Sequence, residues 1–113
     1  MHKRIFIHIV FYLSLICFIR AFGQSNAVRF NRIDIDQGLS QDMVRDILQD
    51  GKGFMRIATW DGLNRYDGYN FKVYKNIEGD SSGLRINKIL QLFEDHNGTL
   101  WVGTFGGGLS IFN

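Results

Sequence analysis

The segment Asp95–Thr104 (DHNGTLWVGT) decides the fold, because a related copy of it occurs earlier in the chain as Asp50–Thr59 (DGKGFMRIAT). Each copy begins with an acidic, glycine-containing turn, continues with apolar and β-branched residues, and ends in threonine before another turn. This order is typical of a β-hairpin followed by a second turn. A unit that recurs after a few tens of residues indicates a repeat architecture, in which each unit needs a neighbour to bury its apolar face.

The two copies align with an offset of 45 positions, which becomes 46 after an extra glycine within residues 105–108. The offset pairs Gly38 with Gly83, Asp50 with Asp95, Gly53 with Gly98, Thr59 with Thr104, and Trp60 with Phe105. After the extra glycine it pairs Leu63 with Leu109 and Tyr66 with Phe112. A period in the middle forties matches the size of a β-propeller blade.

We expect an all-β fold of about two β-propeller blades, each a four-stranded antiparallel meander, with the second blade incomplete. In the first repeat the pattern predicts strands over residues 44–49, 55–59, 63–66 and 69–74. Residues 44–49 are also compatible with a helix, because Met43, Ile47 and Leu48 fall at helical spacing. We favour a strand, since the counterpart at 89–94 is very apolar and closely bracketed by turn residues.

The repeats suggest a simple division of the chain. Residues 38–75 form the first repeat, 76–82 a polar linker, and 83–113 a second repeat that lacks its fourth strand. Residues 24–37 precede them as an N-terminal strand, because Val28–Ile35 alternates apolar and polar side chains. In a full propeller we expect this strand to complete the last blade and close the ring.

The first 23 residues have the layout of a secretory signal peptide. Lys3 and Arg4 precede an apolar run over 5–19, and Ala21 and Gly23 supply the small residues read by a signal peptidase. Cleavage after Gly23 is the prediction, and an uncleaved anchor is the alternative because Arg20 lies unusually close to the cleavage site. We therefore expect export to the periplasm.

Removal of this leader changes both the charge and the cysteine content. The whole chain carries a formal charge of +2, but without Lys3, Arg4 and Arg20 it has 10 basic against 11 acidic residues, a charge of about −1. The remainder holds no basic patch of the kind that neutralises phosphates, which argues against nucleic acid as a partner. Cys17 is the single cysteine and leaves with the leader, so no disulfide is expected and packing alone must stabilise the fold.

The repeat resembles the two-component regulator propeller family. The resemblance is carried by Gly38-Leu39-Ser40, by Asp50, Gly53 and the residues to Thr59, by the run Asp61–Gly68 (DGLNRYDG), and by Phe71–Tyr74. It covers the chain from about Phe30 onward and implies the N-terminal part of a hybrid two-component sensor histidine kinase. In that family the repeats build a periplasmic sensor propeller, whose parent is anchored in the inner membrane and commonly responds to oligosaccharides.

The resemblance implies no catalysis in these 113 residues, since nothing in them corresponds to a kinase, a phosphoacceptor domain or a DNA-binding module. No cofactor is expected. Two alternatives remain: a fragment of a propeller-type carbohydrate-active enzyme, and a small module that builds a propeller from several copies. An isolated pair of blades leaves unpaired strand edges and apolar faces, so self-association through these edges is a further expectation.

The first repeat departs from the family pattern at one position. The pattern has tryptophan where Trp101 stands, but the equivalent residue of the first repeat is Arg56. A buried tryptophan there contributes to the core, and losing it typically costs about 3–5 kcal/mol. The sequence therefore predicts that Arg56 must extend to solvent or find a partner, and suggests a truncated and decaying gene product.

The candidate ligand-binding residues are Trp60, Asp61 and Phe105. They lie in equivalent turns of consecutive repeats, hence on one rim of a propeller, and an aromatic ring beside a polar group suits a sugar. The alternative is that these aromatic residues pack against the next blade. Structural roles are expected for Asp50, Asp95, Gly53, Gly98 and Trp101. Asp95 and Asn97 partly resemble a calcium loop, but the further carboxylates are missing, so a plain turn is favoured and no metal site is predicted.

Overall fold

The computed structural model describes residues 2–20 and 27–113, and within 18–20 only the backbone. The chain divides into two compact units, Met1–Asn31 and Arg32–Asn113. The first unit contains helix α1, His2–Arg20, with the basic residues Lys3 and Arg4 in its first turns. Among the helices of the described residues, none has the length and apolar character needed to cross a membrane. The predicted cleavage site after Gly23 lies outside the described residues.

The predicted N-terminal strand was wrong. Residues 27–34 have no regular secondary structure, and Ile35–Gln37 forms a short 3-10 helix. This helix is capped by Asp34, whose Oδ1 accepts from the amide of Asp36 at 2.8 Å, while the side chain of Gln37 accepts from the amide of Asp34 at 2.8 Å. Phe30 is 94% exposed. A strand needs a neighbouring edge for its backbone groups, and no strand of the described chain pairs with this segment.

The first repeat folds into a four-stranded antiparallel meander, which we call the first blade. Its strands are β1 (Val44–Gln49), β2 (Met55–Thr59), β3 (Gly62–Tyr66) and β4 (Phe71–Tyr74). The strand predicted for 44–49 is confirmed. The last strand begins two residues later than predicted, because Asp67 extends the preceding turn: its Oδ1 accepts from the amides of Tyr69 and Asn70 at 2.8 and 2.7 Å.

The second repeat folds into a three-stranded antiparallel sheet, which we call the second blade. Its strands are β5 (Ile89–Glu94), β6 (Leu100–Thr104) and β7 (Leu109–Phe112). The register of β1 on β2 shifts between Val44 and Asp46, and that of β5 on β6 shifts between Ile89 and Gln91. The bounds of β1 and β2 and the irregularity recur 45 positions later in β5 and β6, and the end of β3 recurs 46 positions later in β7, so the repeat predicted from sequence is a repeat in three dimensions.

A single apolar core lies between the two blades. Ala58 and Leu63 of the first blade are fully buried, as is Ile89 of the second. The second repeat supplies the other buried residues of this core, Leu84, Leu92, Leu100 and Val102. Three partly buried side chains pack against it, Leu48 and Tyr74 from the first blade and Phe112 from the second. Tyr74 and Phe112 meet edge to face at 5.0 Å between ring centroids. Because neither sheet is covered without the other, the two blades stabilise each other.

A polar network holds the segment Gly38–Ser40 against the first blade. Asn64 is fully buried, and its amide nitrogen donates to Ser40 Oγ at 2.8 Å and to the carbonyl of Ile57 at 3.1 Å. The amide of Ser40 donates back to Asn64 Oδ1 at 3.0 Å, and Ser40 Oγ lies 2.6 Å from Thr59 Oγ1. Each side chain of this network therefore has a hydrogen-bond partner, which offsets the cost of burying Asn64 and Thr59.

Candidate ligand-binding rim

The rim is formed by the β2–β3 and β6–β7 turns, which have the same internal hydrogen bonds. In the first blade Thr59 Oγ1 donates to the carbonyl of Gly62 at 3.2 Å and accepts from the amide of Asp61 at 3.1 Å. In the second blade Thr104 Oγ1 donates to the carbonyl of Gly108 at 2.7 Å and accepts from the amide of Gly107 at 3.1 Å. The threonine that ends each repeated segment thus fixes the turn that follows.

Trp60 and Phe105 leave these turns side by side. The amide of Trp60 donates to the carbonyl of Met43 at 3.2 Å, and the equivalent amide of Phe105 donates to the carbonyl of Lys88 at 2.9 Å. The two rings lie 5.4 Å apart between centroids, tilted by 45°. Phe105 is 55% exposed and Trp60 is half-buried. The structure therefore brings together the two aromatic residues that the sequence placed on one rim, and it also packs each against the neighbouring blade.

Two cations that sequence reasoning missed complete the rim. Arg45 Cζ and Lys88 Nζ each lie 5.4 Å from the centroid of the Trp60 ring, and Lys88 Nζ is also 5.9 Å from that of Phe105. Both side chains are exposed, and neither forms an ion pair within residues 27–113. The sequence contained one indication that Lys88 lies at the rim. Lys88 is the equivalent of Met43, and the carbonyl of Met43 accepts from the amide of Trp60.

Asp61 turns to a different partner. Its Oδ2 accepts from Lys75 Nζ at 2.7 Å, and both side chains are 40–44% exposed. An exposed ion pair of this kind contributes little stability, so a ligand can replace Lys75 at low cost. Asp61 is close in sequence to Trp60, but the described contacts do not bring its carboxylate to the ring.

The opposite end of each blade carries an aspartate that organises its turn. Asp50 Oδ1 accepts from the amides of Lys52 and Phe54, each at 2.9 Å, and Asp50 Oδ2 accepts from Arg56 Nε at 2.9 Å. This local arrangement is an Asx turn extended by a side-chain donor. Both partners of the Asp50–Arg56 ion pair are at most 10% exposed.

The second blade repeats this arrangement with a different donor. Asp95 Oδ1 accepts from the amides of Asn97 and Thr99 at 2.9 and 3.0 Å, and Asp95 Oδ2 accepts from Trp101 Nε1 at 3.0 Å. Arg56 therefore supplies the same N–H that the tryptophan supplies, while its guanidinium carbon lies 5.0 Å from the ring centroid of Phe112. Of the two predicted outcomes, Arg56 finds a partner and does not extend to solvent.

These hydrogen bonds shift the ionisation of both aspartates. For Asp50, burial is the strongest single influence and opposes ionisation, but the hydrogen bonds from Arg56, Phe54 and Lys52 together outweigh it and hold the pKa below its ordinary value. For Asp95, the hydrogen bond from Trp101 and then that from the Thr99 amide lower the pKa. The carboxylate of Asp95 is thus occupied by its own turn, as a plain turn requires.

A cavity of about 670 Å³ opens between the blades at this end. Its charged lining contains as many cationic as acidic side chains: Lys52, Arg56, Arg65, Asp50, Glu94 and Asp95. Both aspartates are occupied, because Asp50 is paired with Arg56 and Asp95 accepts from Trp101. The rim of Trp60, Phe105, Arg45 and Lys88 is the candidate that we favour, because its two aromatic rings are adjacent and partly exposed.

The seven strands, the repeated turns and the shared core define the class: consecutive blades of a β-propeller. Residues 73–106 match the two-component regulator propeller family. A curated relative, histidine kinase P4 of Formosa agariphila, is 49% identical over 47 residues, which is 42% of this chain and 3% of the relative. The family resemblance found in the sequence is thereby confirmed.

A solved structure supports the same assignment over a longer stretch. It is an extracellular domain assigned to the hybrid two-component system BT3049 of B. thetaiotaomicron, with 36% identity and a TM-score of 0.69. The match covers 74% of this chain and 12% of that chain. The chain thus spans a small share of both relatives, and it resembles a sensor propeller rather than a catalytic domain.

Proposed function

We propose that this chain supplies two blades to the ligand-sensing propeller of a two-component receptor, and that an oligosaccharide contacts the rim of Trp60 and Phe105. The observation that carries the proposal is the pairing of these rings, 5.4 Å apart, across consecutive blades. Aromatic faces stack on the apolar faces of sugar rings, while nearby polar groups bind the hydroxyls. Arg45 and Lys88 are the polar groups beside them, and Asp61 joins them when a ligand displaces Lys75 from its carboxylate. The match to an extracellular domain of a two-component system supports the same role.

A titration with a panel of short neutral and acidic oligosaccharides tests this proposal. We expect saturable binding to the full chain, followed through its tryptophan fluorescence, to which Trp60 and Trp101 both contribute. Phe105→Ala and Trp60→Ala should each weaken binding about tenfold, or about 1.4 kcal/mol, because each removes one of the two rings. For Trp60→Ala, calorimetry replaces fluorescence. Far-UV circular dichroism checks that both variants remain folded.

Tyr69→Ala is the matched control. Tyr69 is 89% exposed but lies in the β3–β4 turn, at the opposite end of the first blade from the rim. Its removal should leave the affinity unchanged. Binding that survives the loss of both Trp60 and Phe105, or a panel in which no oligosaccharide binds, would contradict the proposed site.

We also propose that the chain is exported to the periplasm through its leader. The support is the basic start at Lys3 and Arg4 followed by the apolar residues of α1, together with the extracellular location of the solved relative. N-terminal sequencing of protein recovered from the periplasm should begin at Gln24. Recovery of chains beginning at Met1 from the membrane fraction would instead support the uncleaved anchor.

A further inference from the structure

The first blade carries two arginines side by side on the face that packs against the second blade. Arg56 of β2 and Arg65 of β3 are directly paired in the strand register, and they lie on the same side of the sheet as the fully buried Leu63. Like charges that face each other across two strands destabilise a sheet. The equivalent pair in the second blade is Trp101 and Ile111. The first blade therefore has two cations where the second blade has two apolar side chains.

Both arginines line the cavity of about 670 Å³ between the blades, and both have donors without acceptors. Arg56 is 8% exposed. Its Nε is bonded to Asp50, but its Nη1 is buried and has no hydrogen-bond partner among the described residues. Arg65 forms no ion pair within the described part of the chain, and its guanidinium carbon lies 4.6 Å from the centroid of the Phe54 ring. Because a buried N–H without an acceptor is costly, the cavity lacks an acceptor beside the two arginines.

The acidic side chains that line the cavity do not supply this acceptor. Asp50 and Asp95 are held by the donors of their own turns. Glu94 Oε1 accepts from the amide of Gly51 at 2.7 Å, which ties the β1–β2 turn to the second blade. None of the three carboxylates pairs with Arg65. An acceptor for both arginines must therefore come from a group outside the described residues.

We propose that this cavity binds a small molecule through an oxyanion group, either a carboxylate or a phosphate, held by the guanidinium groups of Arg56 and Arg65. The planar guanidinium suits both groups, since it can donate two parallel N–H bonds to either of them. Lys52 adds a third cation to the lining, and the volume of the cavity is that of a site for a small organic ligand.

The cavity is a second site, distinct from the rim. It lies at the end of the blades that carries the β1–β2 and β5–β6 turns, whereas the rim is formed by the β2–β3 and β6–β7 turns. The inference is therefore independent of the oligosaccharide proposed for the rim. The site is formed by two consecutive blades and is compatible with further blades in a larger propeller.

Calorimetric titration of the full chain with matched charged and uncharged probes tests the inference. Succinate supplies a carboxylate, inorganic phosphate supplies a phosphate group, and succinamide has the shape of succinate without its charge. We expect saturable binding of succinate or phosphate that is at least about tenfold tighter than that of succinamide, because only the charged probes form charge-assisted hydrogen bonds. Tighter binding of succinate identifies a carboxylate ligand, and tighter binding of phosphate identifies a phosphate ligand.

Two variants show whether the binding depends on the arginines. Arg65→Gln removes one guanidinium, and Arg56→Trp removes the other while keeping an N–H for Asp50. Each should weaken the binding of the tighter probe at least about tenfold, because each removes hydrogen bonds to a charged group. Arg85→Gln is the matched control, since Arg85 is exposed and does not line the cavity. This variant should keep the wild-type affinity.

Several results would overturn the inference. These are equal affinities for succinate and succinamide, no saturable binding of either charged probe, and wild-type affinity in Arg65→Gln. An equal loss of affinity in Arg85→Gln and Arg65→Gln would also overturn it, because it would show a general attraction to surface charge. Far-UV circular dichroism checks that each variant is folded. Should Arg56→Trp lose strand structure, the comparison of Arg65→Gln with Arg85→Gln decides the outcome.

Discussion

The equivalent positions of Arg56 and Trp101 both require a side chain with an N–H donor. The two side chains differ in shape and charge, yet each donates to the Oδ2 of an aspartate six residues earlier, at 2.9 and 3.0 Å. The first repeat therefore keeps the hydrogen bond while exchanging an indole for a guanidinium, which is the less common choice in a buried site. The sequence paired Asp50 with Asp95 and required a partner for Arg56, but it did not identify the carboxylate of Asp50 as that partner.

Substitution of Arg56 separates the donor from the charge. Arg56→Leu leaves the carboxylate of Asp50 buried without its side-chain partner, and should lower the free energy of unfolding by about 3 kcal/mol. Arg56→Trp restores an indole N–H and should change it by less than about 1 kcal/mol. Urea denaturation of the three proteins measures both effects. If Arg56→Trp were as unstable as Arg56→Leu, the shared donor would not explain the exchange.

The two turn aspartates also predict how stability depends on pH. Their pKa values in the folded chain lie below the ordinary 3.8, so below about pH 4 the unfolded chain binds more protons than the folded one. The free energy of unfolding should be constant near neutrality and fall as the pH drops below 4 through the folded pKa values. Urea denaturation at a series of acidic pH values measures this slope.

The double variant Asp50→Asn, Asp95→Asn is the control for this pH dependence. Its slope in acid should be smaller than that of the wild-type chain. Some slope remains because the amides of Asn70 and Tyr69 lower the pKa of Asp67, and the hydroxyl and amide of Ser82 lower that of Asp80. An unchanged slope would show that Asp50 and Asp95 do not control acid stability.

At the scale of the element, the repeated strands could be predicted and the N-terminal strand could not. Strands β1 and β5 begin and end at equivalent positions and have the same register shift. They could be predicted because the same local sequence pattern occurs twice, so that each copy supports the interpretation of the other. Val28–Ile35 has the right alternation, but alternation describes only one strand, and a sheet also needs a partner. The rim could likewise be predicted only in part. The equivalent turns placed Trp60 and Phe105 together, but the contact of Arg45 with the Trp60 ring comes from β1 and depends on how the strands pair.

The β2–β3 turn offers a test of why glycine begins β3. Gly62 has φ 124°, and a Cβ there would lie 2.9 Å from the carbonyl oxygen of Tyr74. Gly53 has φ 90° but has no atom within 4 Å of such a Cβ. Gly53→Ala should cost about 1–2 kcal/mol through backbone strain alone, while Gly62→Ala should cost about 1–3 kcal/mol more, because the strand must also shift. Thermal denaturation compares the variants, and equal losses would contradict the close approach of β4.

At the scale of the whole molecule, the account depends on one core shared by two blades. Leu63 and Ile89 come from different blades, and both are fully buried in the same cluster. The period in the sequence predicted two units that bury their apolar faces against each other, but it did not show which side chains of each blade enter the shared core. That assignment follows from the three-dimensional packing of the two blades.

The most direct test of the shared core uses the one tryptophan in each blade. Trp101→Phe removes the hydrogen bond to Asp95 in the second blade and leaves Trp60 as the fluorescent reporter of the first blade. If the blades unfold as one cooperative unit, the urea midpoint reported by Trp60 should fall below that of the wild-type chain and coincide with the midpoint from far-UV circular dichroism. A Trp60 transition that keeps the wild-type midpoint while circular dichroism shows an earlier loss of the second blade would contradict the shared core.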